Sequence, residues 1–325
     1  MSQALIAAYP QDDERPHAVG EPPFWQESVV IFWWDDKAGI GGYQRIGHEP
    51  YFQGGKEHLW SFVFFADGRR HRNHGSVPAH PPRGRERFTF DNRNEMHFDG
   101  SPVWRIGGHD LEIQMTVEDF FPAQDSWPRN SGTLSAQVAK GHTECAGRAR
   151  GWARIRGSRL DIDALCGRDH SWGQRDWSKL RNHIWFAGSC GPGLSFSGID
   201  FFATDGSHVR NSILLYDGEH DNETGFEVTH DGDERTGELD GGTLVLHQRN
   251  GKPLAFRFEC VDGGCTLHHG YLLYDYICRL RGADGRSGYL AFEWSRRHDR
   301  PEIPAEMRLA ATNGWSQKPL SGNRR

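Results

Sequence analysis

Apolar and polar side chains alternate along short runs of this chain, with the period of a β-strand. The clearest run is Leu111-Glu-Ile113-Gln-Met115-Thr-Val117, which sets four apolar groups on one face and three polar groups on the other. Residues 59–65, 160–165, 243–247, 256–261, 271–280 and 289–294 read as further strands. Asp-Gly pairs punctuate the chain at Asp67-Gly68, Asp99-Gly100, Asp205-Gly206, Asp217-Gly218, Asp231-Gly232, Asp240-Gly241, Asp262-Gly263 and Asp284-Gly285, with Asn-Gly at Asn250-Gly251. Such pairs suit the positive φ angles of tight hairpin turns. Residues 71–87 read as a basic loop, and only residues 304–311 suggest a turn of helix. Short strands joined by turns, with no strand–helix alternation, predict an all-β chain of antiparallel sandwiches or barrels.

At 325 residues the chain can form one large domain or two ordinary ones. Phe64-Phe65-Ala66-Asp67-Gly68 is echoed by Phe201-Phe202-Ala203-Thr204-Asp205-Gly206, which hints at a duplication with its seam near Cys166. The expected division is 1–165 and 166–325. A net charge of −6 speaks against nucleic acid as a partner. No run approaches the roughly 18–20 apolar residues of a membrane helix, so no membrane span is expected. The N-terminus lacks the features of a signal peptide, and the six cysteines are scattered, so reduced thiols and a cytoplasmic location are the reading.

Residues 167–177, Gly-Arg-Asp-His-Ser-Trp-Gly-Gln-Arg-Asp-Trp, join five charged or titratable side chains to two tryptophans. A polar site with aromatic walls needs both kinds of residue. The stretch resembles the Asp-His-x-Trp-Gly signature of the carotenoid 1,2-hydratase (hydroxyneurosporene synthase) and AttH-like superfamily. Pro23-Phe-Trp-Gln-Glu-Ser28 and Phe32-Trp-Trp-Asp35 are also similar to the opening of its bacterial relatives. The resemblance implies two lipocalin-like antiparallel β-barrel or sandwich domains in tandem. It also implies functional roles for the signature His and Trp, here His170 and Trp172, and for a downstream Tyr-x-Asp. Asp200 fits that acid, whereas Gly198 stands in place of the tyrosine. That departure points away from a carotenoid and towards a smaller terpenoid, polyketide or aromatic substrate.

Adding water to an alkene needs a proton donor, and a carboxyl in a water-poor pocket can keep its proton at neutral pH. His170, Asp200 and Trp172 are therefore the expected catalytic group, with Asp200 as acid, Trp172 as aromatic wall, and His170 holding the acid or accepting a proton. If this stretch is extended, His170 and Trp172 share one side, and Asp169 and Ser171 the other. His170 could equally make a structural hydrogen bond between domains, and Trp172 could belong to the core. Asp169, Arg175 and Asp176 read as a structural salt-bridge network. A second cluster, Trp34, His48, Glu49 and Tyr51, together with Trp177, is expected to bind substrate if a cavity opens between the domains; its bland reading is a hydrated loop. His71-x-x-His74 and His268-His269 bring no carboxylate at a familiar spacing, so no metal is expected. No dinucleotide motif or nucleophile elbow is present, so no cofactor is expected. The expected activity is that of a cofactor-independent lyase, a hydratase, dehydratase or double-bond isomerase, with a small apolar molecule as partner. The alternatives are a carrier of hydrophobic ligands and a pericyclase-like cyclase. Nothing in the sequence assigns an oligomeric state.

Overall fold

The computed structural model describes residues 11–79, 87–126, 138–233, 238–248, 251–297 and 316–317. The first sheet contains β1 (Trp25–Asp35), β2 (Ile40–Glu49), β3 (Lys56–Phe65), β4 (Arg70–Pro78), β5 (Arg87–Thr89), β6 (Glu95–Phe98), β7 (Pro102–Gly107), β8 (Leu111–Asp119), β9 (Gln124–Asp125), β10 (Gly141–Ile155) and β11 (Ser158–Gln174). Its order is β4-β3-β2-β1-β11-β10-β8-β7-β6-β5, with β9 on β10. The second sheet contains β12 (Leu180–Ser189), β13 (Leu194–Ala203), β14 (His208–Tyr216), β15 (Glu219–Asp233), β16 (Glu238–His247), β17 (Leu254–His268), β18 (Tyr271–Gly282), β19 (Ser287–Arg297) and β20 (Ser316–Gln317). It runs β16-β15-β14-β13-β12-β19-β18-β17, and the β16–β17 pairing closes it into a barrel. The first sheet is a half-barrel, so the chain is all-β with two lipocalin-like units in tandem. The expected division at 165/166 falls inside β11, which stays in the first sheet to Gln174; the second sheet starts at Leu180.

Burial explains the sequence pattern. β8 has one wet face and alternates buried with open positions, whereas every residue of β1 is buried. A strand covered on both faces loses its alternation. Three apolar clusters account for this. Val29, Ile31, Trp33, Trp104 and Met115 fill the hollow of the half-barrel. Phe186, Phe196, Phe226, Phe258 and Phe292 fill the closed barrel. Phe32, Tyr43, Trp60, Phe62, Trp185 and Phe201 pack between the two sheets.

Five of the Asp-Gly pairs, at 67–68, 99–100, 205–206, 217–218 and 284–285, have glycine in the left-handed region at strand ends. The two copies of the Phe-Phe repeat each close a hairpin, β3–β4 and β13–β14. The pairs at 231–232, 240–241 and 262–263 are not turns but lie inside β15, β16 and β17. Two of these three sit at register shifts, and at Gly263 a Cβ would meet the Tyr276 ring at 2.1 Å. Glycine serves there for close approach and bulging. The expected basic loop is in part strand, because β4 takes residues 70–78; the expected helix at 304–311 and Asn250 lie outside the described residues.

Candidate active site

β11 is extended, so its side chains alternate between faces as the sequence predicts. The face that looks towards the second sheet is, however, that of Asp169 and Ser171. His170 and Trp172 turn into the hollow of the half-barrel. His170 Nε2 donates to Glu27 Oε1 at 3.0 Å, and His17 Nδ1 donates to the same oxygen at 2.7 Å. The His17 ring stacks on Trp172 at 4.2 Å, and Phe88 meets the His170 ring edge-on at 5.2 Å. Burial alone would raise the Glu27 pKa, but the hydrogen bonds from His17 and His170 outweigh it and hold the carboxyl below 4.5. Trp172 also explains a glycine, because a Cβ at Gly141 would lie 2.2 Å from its ring.

Asp200 is not brought to His170. It sits on β13, pairs with His208 through a short contact, and lies 3.7 Å from Arg210 Nε. Gly198 has no room for a side chain, since its Cβ would meet Phe186 at 2.2 Å. Trp34 donates to Asp36 at 3.2 Å, Tyr51 is exposed and donates to the Gly20 carbonyl at 2.9 Å, and His48 lies 3.7 Å from Glu57. Asp176 caps the short turn 177–179 by accepting from Ser178 N. Arg168 forms a buried ion-pair network with Glu14 and Asp119, and Asp169 pairs with His142.

A cavity of about 70 Å³ lies between the sheets. By the same measure one water needs about 10–15 Å³, so it offers roughly five water-sized sites. Val30, Phe32, Trp60, Trp177, Trp185 and Phe201 supply its apolar wall, and Arg45, His142, Asp169, Arg175, His183 and Glu293 its polar one. Register builds this set row by row. On the first sheet Val30 is flanked by Arg45 and Asp169, and Asp169 by Glu144; Ser28 and Ser171 stand one row along with His142. On the barrel wall Trp185 pairs with Glu293, and Glu293 with Asp275.

Two hydrogen-bonded groups face each other across the cavity. In the first, His142 Nε2 donates to Asp169 Oδ2 at 2.5 Å and lies 3.3 Å from Glu144, which accepts from Trp185 Nε1 at 2.6 Å. In the second, Ser295 Oγ contacts His183 Nδ1 at 2.8 Å, and His183 Nε2 donates to Glu293 Oε1 at 2.5 Å. Arg175 donates to the Val138 carbonyl at 2.7 Å and to Ser171 Oγ at 3.1 Å.

The charges follow from burial and partners. Burial would depress His142, but the Asp169 charge and hydrogen bond overcome it and raise the imidazole to about 10. Burial pushes Glu144 up to about 7. Burial, then the Glu293 charge, pushes Asp275 well above the usual carboxylate range. Glu293 goes the other way: burial would raise it, but the bond from His183 holds it down. Asp275 is fully buried, and neither of its carboxyl oxygens has a hydrogen-bond partner among the described residues. A proton on Asp275 supplies the donor that this carboxyl pair lacks, because two adjacent buried carboxyls do not both ionise.

Of the expected binding residues, Trp177 lines this cavity, and Glu49 lies behind it, joined to Trp177 through His268 and His269. Glu49 accepts from His268 at 2.9 Å, His269 at 3.0 Å and His58 at 3.2 Å. Trp177 stacks on His269 and stands edge-on to His268. Among the described residues, three groups place their ligand atoms within 4.8 Å of one another and could hold a cation: His17, Glu27 and His170; Glu49, His58 and His268; and His142, Glu144 and Asp169. The expectation of no metal rested on near neighbours in sequence, whereas these groups join residues from distant strands.

His142, Glu144, His183, Asp275 and Glu293 were not anticipated. The signal for two of them was present: Asp275 and Glu293 each interrupt an apolar strand, the same sign that singled out Asp200.

The comparisons agree with the fold. A family model described as a domain of unknown function, DUF7064, matches residues 10–298. No curated protein matches the sequence. Among solved structures, a protein of Nitrosomonas europaea assigned as AttH is similar with a TM-score of 0.63 at 10% identity, over 90% of this chain and 98% of its own. CghA with Sch210972 is similar with a TM-score of 0.60 at 12% identity, over 85% of this chain and 90% of its own. Kievitone hydratase from Nectria haematococca gives 0.59 at 10% identity, over 90% and 93%. The expected superfamily fold is therefore the fold of this chain.

Proposed function

The chain belongs to the DUF7064 family, and from that premise we propose that it is an acid–base enzyme acting on a small unsaturated molecule held between its two sheets. The reaction is reversible addition of water, or the double-bond shift that shares its first step. One observation carries this reading: Glu293 lines the cavity beside aromatic walls, and its buried neighbour Asp275 is pushed well above the usual carboxylate range by burial and by the Glu293 charge, so the pair can hold a proton for transfer. Protonated acids in apolar sites are the donors that alkene protonation needs.

The steps balance without a co-reactant. The carboxyl pair gives its proton to one alkene carbon. Water adds to the other carbon and returns a proton to the carboxylate. Loss of a proton from a neighbouring carbon, in place of water addition, gives the isomer. His183, held by Ser295, orients Glu293. His142, Arg45 and Arg175 are cationic and face the same space, so they suit an oxygen-bearing substrate such as a polyketide or phenolic. One structural neighbour is named a hydratase and another was solved with a bound small molecule, which supports the class of reaction and the kind of partner.

The test is deuterium uptake at carbon. Unsaturated and hydroxylated terpenoids, polyketides and phenolics are incubated with the protein in D2O and followed by mass spectrometry. Glu293→Gln and Asp275→Asn should lower exchange and turnover by about 10²–10⁴-fold. Binding without exchange would transfer the assignment to a carrier. Turnover unchanged in both variants would remove the carboxyl pair from the mechanism.

A further inference from the structure

We infer that Glu49, His58 and His268, with His269 beside them, form a binding site for a first-row divalent cation, Zn²⁺ foremost, that bridges the two sheets. The site uses different residues from the carboxyl pair and stands or falls separately from the proposed reaction.

Its residues come from both units. Glu49 ends β2 and His58 lies on β3, while His268 ends β17 and His269 begins the turn to β18. Glu49 is 2% exposed, His58 7% and His268 5%. Three imidazole nitrogens converge on one carboxylate at 2.9, 3.0 and 3.2 Å. Tetrahedral ligands at about 2.0–2.1 Å from Zn²⁺ lie about 3.3 Å from each other, so this spacing is close to that of a ligand shell. A single carboxylate needs no more than one cationic partner to be neutral, and three imidazoles exceed that need. Nitrogen and oxygen donors in this ratio select Zn²⁺ and its neighbours over Ca²⁺ or Mg²⁺.

The turn between β17 and β18 brings the fourth member, His269, to the group. His269 has φ +47° and Gly270 φ +81°. Both values are those of a two-residue hairpin turn, which fixes the direction in which the His269 side chain leaves the backbone. Here the turn aims the imidazole at Glu49, and Phe52 packs on it at 4.1 Å. His269 is the most open member of the group, 20% exposed, and marks the way in for an ion. Trp60 and Trp177, which line the cavity, pack against His268, so the ion would sit one side chain behind the cavity.

The experiment titrates metal-stripped full-length protein with Co²⁺ and then Zn²⁺. The expected result is one equivalent of Co²⁺ with the visible bands of a low-coordinate nitrogen-rich site, displaced by Zn²⁺, and a rise in Tm with added Zn²⁺ as mass action requires. His58→Gln and His268→Gln should each lose that equivalent. His170→Gln and His142→Gln, which alter the two other candidate groups, should keep it. Absence of both bands and Tm shift in the wild-type chain would overturn the inference, as would an equivalent that survives in the first two variants. Should those variants fold poorly, X-ray absorption of the Co²⁺-loaded wild type counts imidazoles directly: two or three are expected, and one or none overturns the site.

Discussion

Replacing His170 with alanine should weaken the fold and leave the chemistry between the sheets intact. His170 is 2% exposed and its partner Glu27 3%. The variant removes one hydrogen bond to a buried carboxylate, about 1.5–3 kcal/mol, and ring contacts with Phe88 and Trp172, about 0.5–1.5 kcal/mol. Glu27 keeps the side chain and backbone N–H of His17. The loss should therefore lie near the lower end of the roughly 3–5 kcal/mol measured when a buried pair is severed, at about 3 kcal/mol. Urea unfolding at pH 7, read by tryptophan fluorescence, measures it. The pH dependence has a definite sign. Glu27 is held below 4.5, so its contribution is fully present above pH 4.5 and fades as pH falls through the lowered folded value. The alanine variant holds Glu27 less strongly, so its deficit against the wild type should narrow in acid. A deficit under about 1 kcal/mol at pH 7, or lost turnover in a variant of unchanged stability, would refute this reasoning and return His170 to the reaction.

Other expectations follow from the same geometry. Asp275 carries a raised pKa, so its cost to stability grows as pH rises above 3.8; Asp275→Asn should gain on the wild type between pH 4.5 and 8 in urea midpoints. Gly198→Ala should cost about 1–3 kcal/mol by thermal or urea unfolding, because its Cβ would meet Phe186 at 2.2 Å. Arg70 grips the buried Asp262 with two bonds at 2.5 and 2.8 Å across the sheets, so Arg70→Ala should destabilise by about 3–5 kcal/mol in the same assay. Burial raises Glu144 to about 7, so its cost to stability grows as pH rises from 4.5 to about 7, and Glu144→Gln should flatten that part of the urea-midpoint profile.

The strands and many turns were legible because alternation and Asp-Gly are local signals. Alternation in residues 169–172 also separated the two side-chain faces correctly. What it could not say is which face meets the second sheet, since a strand covered on both sides carries no polar edge to mark the outside. His170 and Trp172 thus drew attention by their chemistry and went to a core, while Asp169 and Ser171 line the cavity. Glu49 was legible as a charge among aromatics, but its partner His268 stands 219 residues away, and only the packing of two sheets joins them. Asp275 and Glu293 were open to reading, as charges inside apolar strands, but cross-strand register was needed to make them a pair.

The closed barrel is filled by phenylalanine rings, and the half-barrel hollow by tryptophan and aliphatic side chains. The candidate pocket is therefore made from the outer surfaces of two independently packed bodies. Its lining residues can change identity without disturbing either interior, whereas in a barrel that holds its ligand inside, every change of specificity is also a change of core. Phe32, Trp60, Trp185 and Phe201 line the pocket and also form the core between the sheets, so what is bound there is coupled to how the two sheets are held together and not to how either barrel is filled.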